Sequence, residues 1–136
     1  MDIIYLEWEK TNIKELSEFK DTFFYAFTKS NTLLYIGIAW YQPVDKEVKN
    51  TIRKLDYPAD KLVIWLGYIK DCSLGRITEN IIRDTESLMV CINNPRDNTH
   101  YKKNYIGRDY LKVVSYDCSF LHDVIYYDHP EFFPVS

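Results

Sequence analysis

The chain has 136 residues with 20 acidic and 17 Lys or Arg side chains, a net charge of −3. It therefore offers a polyanion no global attraction, and any such partner would need a local basic patch. One domain is expected at this length, and 46% hydrophobic with 27% charged residues is a soluble globular balance that argues against a low-complexity chain.

Met1–Lys20 begins with a short apolar run of Ile3, Ile4, Leu6 and Trp8. Thr11 then stands as a cap before IKELSEF, where Ile13, Leu16 and Phe19 recur at helical spacing and predict a short helix. Thr22–Trp40, TFFYAFTKSNTLLYIGIAW, holds two aromatic and β-branched runs around Lys29-Ser30-Asn31, the pattern of a β-hairpin. Alternation puts Phe23, Tyr25 and Phe27 on one face, and Leu33, Tyr35, Gly37 and Ala39 on one face of the partner strand. A loop of odd length would set Tyr25 opposite Tyr35, whereas a two-residue loop would put the phenols on opposite faces. After Pro43, VDKEVKNTIRKL lines up Val44, Val48, Ile52 and Leu55 as an amphipathic helix. Lys61–Ile69 is a nearly continuous apolar run, suited to a strand covered on both faces.

Arg76–Ile92 carries the clearest helical period, with Ile77, Ile81, Leu88 and Ile92 in a narrow arc and Ile82, Thr85 and Met89 beside it. Asn93-Asn94-Pro95 ends it. A polar loop leads to a last strand over Tyr110–Cys118 and an aromatic, Pro-rich coil. The expected fold is α/β: a small mixed β-sheet with flanking helices, opened by a β-hairpin. No apolar run approaches the roughly 20 residues of a membrane span, and no basic stretch precedes the apolar residues of MDIIYLEWEK, as a secretory signal would require. Cys72, Cys91 and Cys118 are odd in number and contain no CxxC pair, as expected of a reduced cytoplasmic protein without a zinc site.

Glu86 lies on its helix about 40° from Ile82 and about 60° from Met89, at the border of the apolar arc, where a carboxylate can face a cleft. The ordinary alternative is a solvated acid paired with Arg83. Tyr25 and Tyr35 have the same double reading as core aromatics with a hydroxyl at the rim, and Asn98 as a turn residue. The three histidines show no ligand spacing.

Taken together, Tyr25, Tyr35-Ile36-Gly37, a helix, a strand, a second helix with Glu86, then Pro95 and Asn98 resemble the GIY-YIG nuclease superfamily. LLYIGIA matches the second half of the name motif. FFY stands where GIY would be, keeping the Tyr. ESLMVCINNPRDN resembles the family's metal-site helix and its Pro-x-x-Asn. The match covers residues 22–98 of a single domain spanning 1–136. The resemblance implies a metal-dependent DNA endonuclease: Glu86 would hold Mg²⁺ or Mn²⁺, Tyr25 would be the general base towards water, and Tyr35 and Asn98 would organise the site.

One departure is plain. The family carries an Arg early in the helix after YIG, and here its position falls on Asp45 or Glu47. Lys46 and Lys49 are the nearby cations for phosphate, without the bidentate fork of an Arg. The basic and aromatic stretch Arg96, Tyr101, Lys102, Lys103, Tyr105, Arg108, Tyr110 and Lys112 would suit a nucleic-acid surface, or a solvated loop before an edge strand. Two further expectations stay open: a catalytically weakened domain of the same fold that binds nucleic acid or a protein partner, and an unrelated small α/β interaction protein, either of which could form a homodimer.

Overall fold

The computed structural model describes residues 1–18, 22–40 and 42–127. Among these, the strands are β1 (Asp2–Thr11), β2 (Phe24–Lys29), β3 (Thr32–Ile38), β4 (Val63–Cys72), β5 (Leu111–Tyr116) and β6 (Val124–Tyr127), and the α-helices are α1 (Val44–Lys54) and α2 (Glu79–Asn93). The strands form one mixed sheet in the order β3-β2-β4-β1-β5-β6, antiparallel throughout except where β1 lies parallel to β5.

The mixed α/β architecture is as expected, but the hairpin does not open it. The first apolar run is β1, paired with β4 on one side and β5 on the other. Ile4, Leu6 and Trp8 alternate and are buried, a period of two that a run of only four apolar residues disguised. Thr11 ends that strand rather than capping a helix, and only a 3₁₀ turn, Leu16–Glu18, follows; Phe19 lies outside the described residues. Part of the stretch expected as terminal coil forms β6.

The two helices cover opposite faces of the sheet. Val44, Val48 and Ile52 of α1 share a cluster with Tyr25, Phe27, Leu34, Ile64 and Leu66. Ile81, Ile82, Leu88 and Met89 of α2 share the other with Ile4, Leu6, Phe24, Ala26, Ile36 and Val113. Alternate residues of β4 thus feed both clusters, as its unbroken apolar run requires. Thr78 caps α2, its hydroxyl accepting from Ile81 N at 3.3 Å. That start leaves Ile77 outside the helix, and Ile77 and Ile92 at the two ends of the expected arc are exposed.

The hairpin register differs from both sequence alternatives. Its turn has two residues, with Lys29 opposite Thr32. Ser30 and Asn31 take positive φ (49° and 65°), the backbone of a type I′ turn that matches strand twist. Carried on unbroken, that register would turn the phenols to opposite faces. A bulge intervenes: Thr28 pairs with Leu33 but Phe27 pairs with Tyr35, leaving Leu34 extra. Tyr25 therefore faces Gly37, not Tyr35, yet all three lie on the α1 face. Leu33 is turned away to the α2 cluster, which Phe23 also joins.

Gly37 is required by that pairing. A Cβ there would lie 2.8 Å from Tyr25 Cε2, and nearer still to Cζ and the hydroxyl. Gly37→Ala is expected to lower the unfolding free energy by about 1–3 kcal/mol through overpacking, read as a lower urea midpoint with an unchanged slope. A variant as stable as the wild type would show that the Tyr25 ring does not rest on that glycine.

Candidate functional site

Tyr25 and Tyr35 stack with ring centroids 6.1 Å apart. Tyr25 is 1% exposed, and its hydroxyl lies 2.8 Å from Thr51 Oγ1 of α1. Burial pushes its phenol far above the ordinary value; the bond to Thr51 opposes this, while the charges of Glu47 and Glu86 add to it. Tyr35 is less enclosed and lines a cleft of about 390 Å³ together with Gln42, Glu47, Thr51, Lys54, Asp97 and His100. Its phenol is also raised, first by burial and then by Glu86 and Glu47, with a hydrogen bond from Tyr25 acting the other way. Of the two phenols, Tyr35 is the one a ligand in the cleft can touch.

Glu86 on α2 is within electrostatic reach of both phenols and of Glu47 on α1. The two helices lie on opposite faces of the sheet, and β3 is its edge strand. Desolvation lifts the Glu86 carboxyl from 4.5 to about 7; Arg83 opposes the rise and Glu47 adds to it. Arg83 is itself held by Glu79 at 2.9 Å, so the expected Arg83–Glu86 pair gives way to an i,i+4 bridge.

Asn98 is 8% exposed and works on backbone. Its Oδ1 accepts from Ile36 N at 3.0 Å and its Nδ2 donates to Ile36 O at 2.9 Å. Beside it, Arg96 N donates to Leu33 O and Asp97 N to Leu34 O. Residues 96–98 thus close the free edge of β3 and hold Tyr35 between two anchored neighbours. Asp97 in turn accepts from Arg96 Nε and Nη2, each at 2.9 Å, and from Tyr57 Oη at 2.5 Å.

Tyr25 and Tyr35 therefore stack, Glu86 lies within electrostatic reach of both, and Asn98 supports the strand that carries Tyr35. Lys46 and Lys49 do not join: both are exposed and neither lines the cleft. At about 100° per residue, Glu47, Asn50, Thr51 and Lys54 share one side of α1 while Lys49 points nearly opposite. Lys54 is the lysine the cleft possesses, and of the two candidate positions for the absent Arg, Glu47 is the one facing it. The basic stretch beyond is largely occupied. Arg108 holds Asp84 at 2.7 Å and Asp2 at 3.4 Å, while Tyr101 and Tyr105 pack on the α2 cluster. Thr51 and His100 were not singled out from sequence. For Thr51 a signal existed, a hydroxyl on the same stripe as Val48 and Ile52.

Among the described residues, no group of three His, Cys, Asp or Glu is assembled that could hold a metal alone. Glu86 is the donor chemistry that a hard divalent cation takes when it completes its shell with water and phosphate oxygens. No helix of the described residues is long and apolar enough to cross a membrane. Neither a family model, nor a curated protein, nor a solved structure matches the chain.

A carboxyl raised by folding binds protons more tightly in the native state. Its favourable contribution is complete below pH 4.5 and is lost as pH rises towards about 7. Glu86→Gln is therefore expected to stabilise the protein at pH 8, by on the order of 2 kcal/mol, and to have no effect at pH 4. Urea unfolding at the two pH values measures this, and equal effects at both would show that Glu86 is not desolvated.

Proposed function

We propose that the protein is a metal-dependent DNA endonuclease of the GIY-YIG type, hydrolysing phosphodiester bonds at the cleft beside Tyr35. One observation carries this reading: two stacked phenols from neighbouring strands and a desolvated carboxylate from a later helix act on one another at a single sheet edge, next to an open cleft. The buried Asn98 amide supports it by bracing the strand in between. Each of these residues stands where the family's motif has it.

In this reading Glu86 would hold Mg²⁺ or Mn²⁺, which when bound supplies positive charge to the phosphate and the leaving oxygen. Tyr35 accepts the attacking water's hydrogen bond and, as phenolate, its proton. Tyr25, sealed beneath it, supports Tyr35 rather than meeting water. This exchanges the roles that the motif alone would assign, and the reason is exposure. Lys54 is placed to offset phosphate charge at the cleft wall.

Glu47 favours a second reading, a domain of the same fold that binds nucleic acid or a protein partner without cutting. An acid at the cleft wall repels phosphate, and a preorganised donor of the kind it replaces is typically worth about 10²–10³ in rate.

Supercoiled plasmid should be nicked or linearised with Mg²⁺ or Mn²⁺, and Glu86→Ala should abolish the cleavage. No cleavage over a wide range of metal and protein concentration would sink the endonuclease reading. Glu47→Arg separates the two readings further: a gain of tenfold or more in rate marks a weakened nuclease, and unchanged inactivity favours the binder.

A further inference from the structure

We infer that the cavity adjoining the cleft is a nucleobase pocket, so that the substrate is a DNA strand with an unpaired nucleotide beside the scissile phosphate. The inference rests on the reading of the Tyr35 cleft as the phosphodiester site. The cavity, of about 570 Å³, shares Leu55, Asp97 and Thr99 with that cleft, and both are of the size that holds small organic groups. Leu34, Leu55, Leu62 and Tyr57 give it apolar and aromatic walls. Tyr57 is fixed before any ligand arrives: its hydroxyl donates to Asp97 Oδ2 at 2.5 Å, and its ring meets that of Phe27 at 81°, with centroids 5.8 Å apart. A wall set in advance costs little ordering when a ligand binds.

The lining chooses between the parts of a nucleotide. Its charged groups are two of each sign, Lys29 and Arg96 against Asp56 and Asp97. Arg96 also spends two of its five N–H donors on Asp97. Such a lining has no surplus charge for a phosphate, whereas a neutral, flat group with a polar edge suits it. A nucleobase is that group, with a face for the aromatic and apolar wall and an edge of donors and acceptors for Arg96, Asp97 and Thr99. Asn98 lines the cavity too, but both its amide atoms serve Ile36. Because the two hollows share a wall, a strand with its phosphate beside Tyr35 carries the adjoining base to the cavity. In paired DNA that base is stacked inside the helix and must be extruded to enter. Unpaired sites, and supercoiled plasmid that opens locally, therefore stand ahead of relaxed duplex as substrates.

A synthetic duplex with one unpaired nucleotide is expected to be cleaved with about tenfold higher kcat/KM than the fully paired duplex of the same sequence. Leu62→Trp fills the cavity with an indole and should bring that ratio down towards one. Equal cleavage of paired and unpaired DNA by the wild type, or an undiminished ratio in Leu62→Trp, would overturn the proposal. A second measurement needs neither activity nor a variant. In wild-type protein labelled at leucine methyls, a thymidine hexanucleotide should shift the Leu55 and Leu62 signals, and a fully paired hairpin should not. Methyls left unmoved by the single strand refute the pocket even if plasmid cleavage is robust. The expected shifts without cleavage of any DNA uphold the pocket and remove only the nuclease reading.

Discussion

Leu34 has no partner on β2, and the geometry of the site depends on that surplus. A two-residue turn and an unbroken ladder would send Tyr25 and Tyr35 to opposite sides of the sheet, one under each helix. One extra residue restores the common face and moves the cross-strand partner of Tyr25 from Tyr35 to Gly37. The Tyr25 ring then lies over a glycine with the Tyr35 ring stacked beside it. The bulge thus fixes both the convergence of the phenols and their unequal access: one sealed, one at the cleft.

The site lies at a sheet edge for a physical reason. Helices on opposite faces are separated by the sheet wherever it is continuous, and their side chains can touch a common ligand only around its rim. β3 is such a rim, with α1 on one side and α2 packed along the other. An edge also carries unpaired backbone groups that must be satisfied. Residues 96–98 do this with two backbone donors and the Asn98 amide, whose two hydrogen bonds to Ile36 copy those of a neighbouring strand. The loop that closes the edge therefore also builds one wall of the cleft through Asp97 and His100.

The electrostatics of this corner are under tension. Glu86 loses hydration at the edge, Glu47 adds like charge, and the nearest opposing charge, Arg83, is bound to Glu79. A desolvated carboxylate can relieve that strain by taking up a proton near neutrality or by gaining a cation. Both outcomes are chemically useful, and neither would be available to a solvated acid elsewhere on the helix. The same carboxylates disfavour ionised Tyr35, so positive charge at this corner would ease both problems together.

Much of this was legible in the order of residues. The hairpin, the apolar stripe of α1, the doubly covered β4 and the period of α2 all rest on local pattern, because apolar spacing of 2 or 3.6 is set by backbone geometry alone. Glu86 at the border of its apolar arc and Asn98 three residues after Pro95 were likewise visible as positions. Four matters were not. The run Ile3–Trp8 was too short to reveal that β1 is central, and the bulge at Leu34 leaves no composition signal in LLYIG. Whether Glu47 or Lys49 meets the cleft depends on where α1 docks. The side-chain partner of Thr51, Tyr25, comes from a strand 26 positions earlier. Periodicity says which side of an element is apolar; only packing says what that side touches, and hydrogen bonds between distant segments exist only once the faces have met.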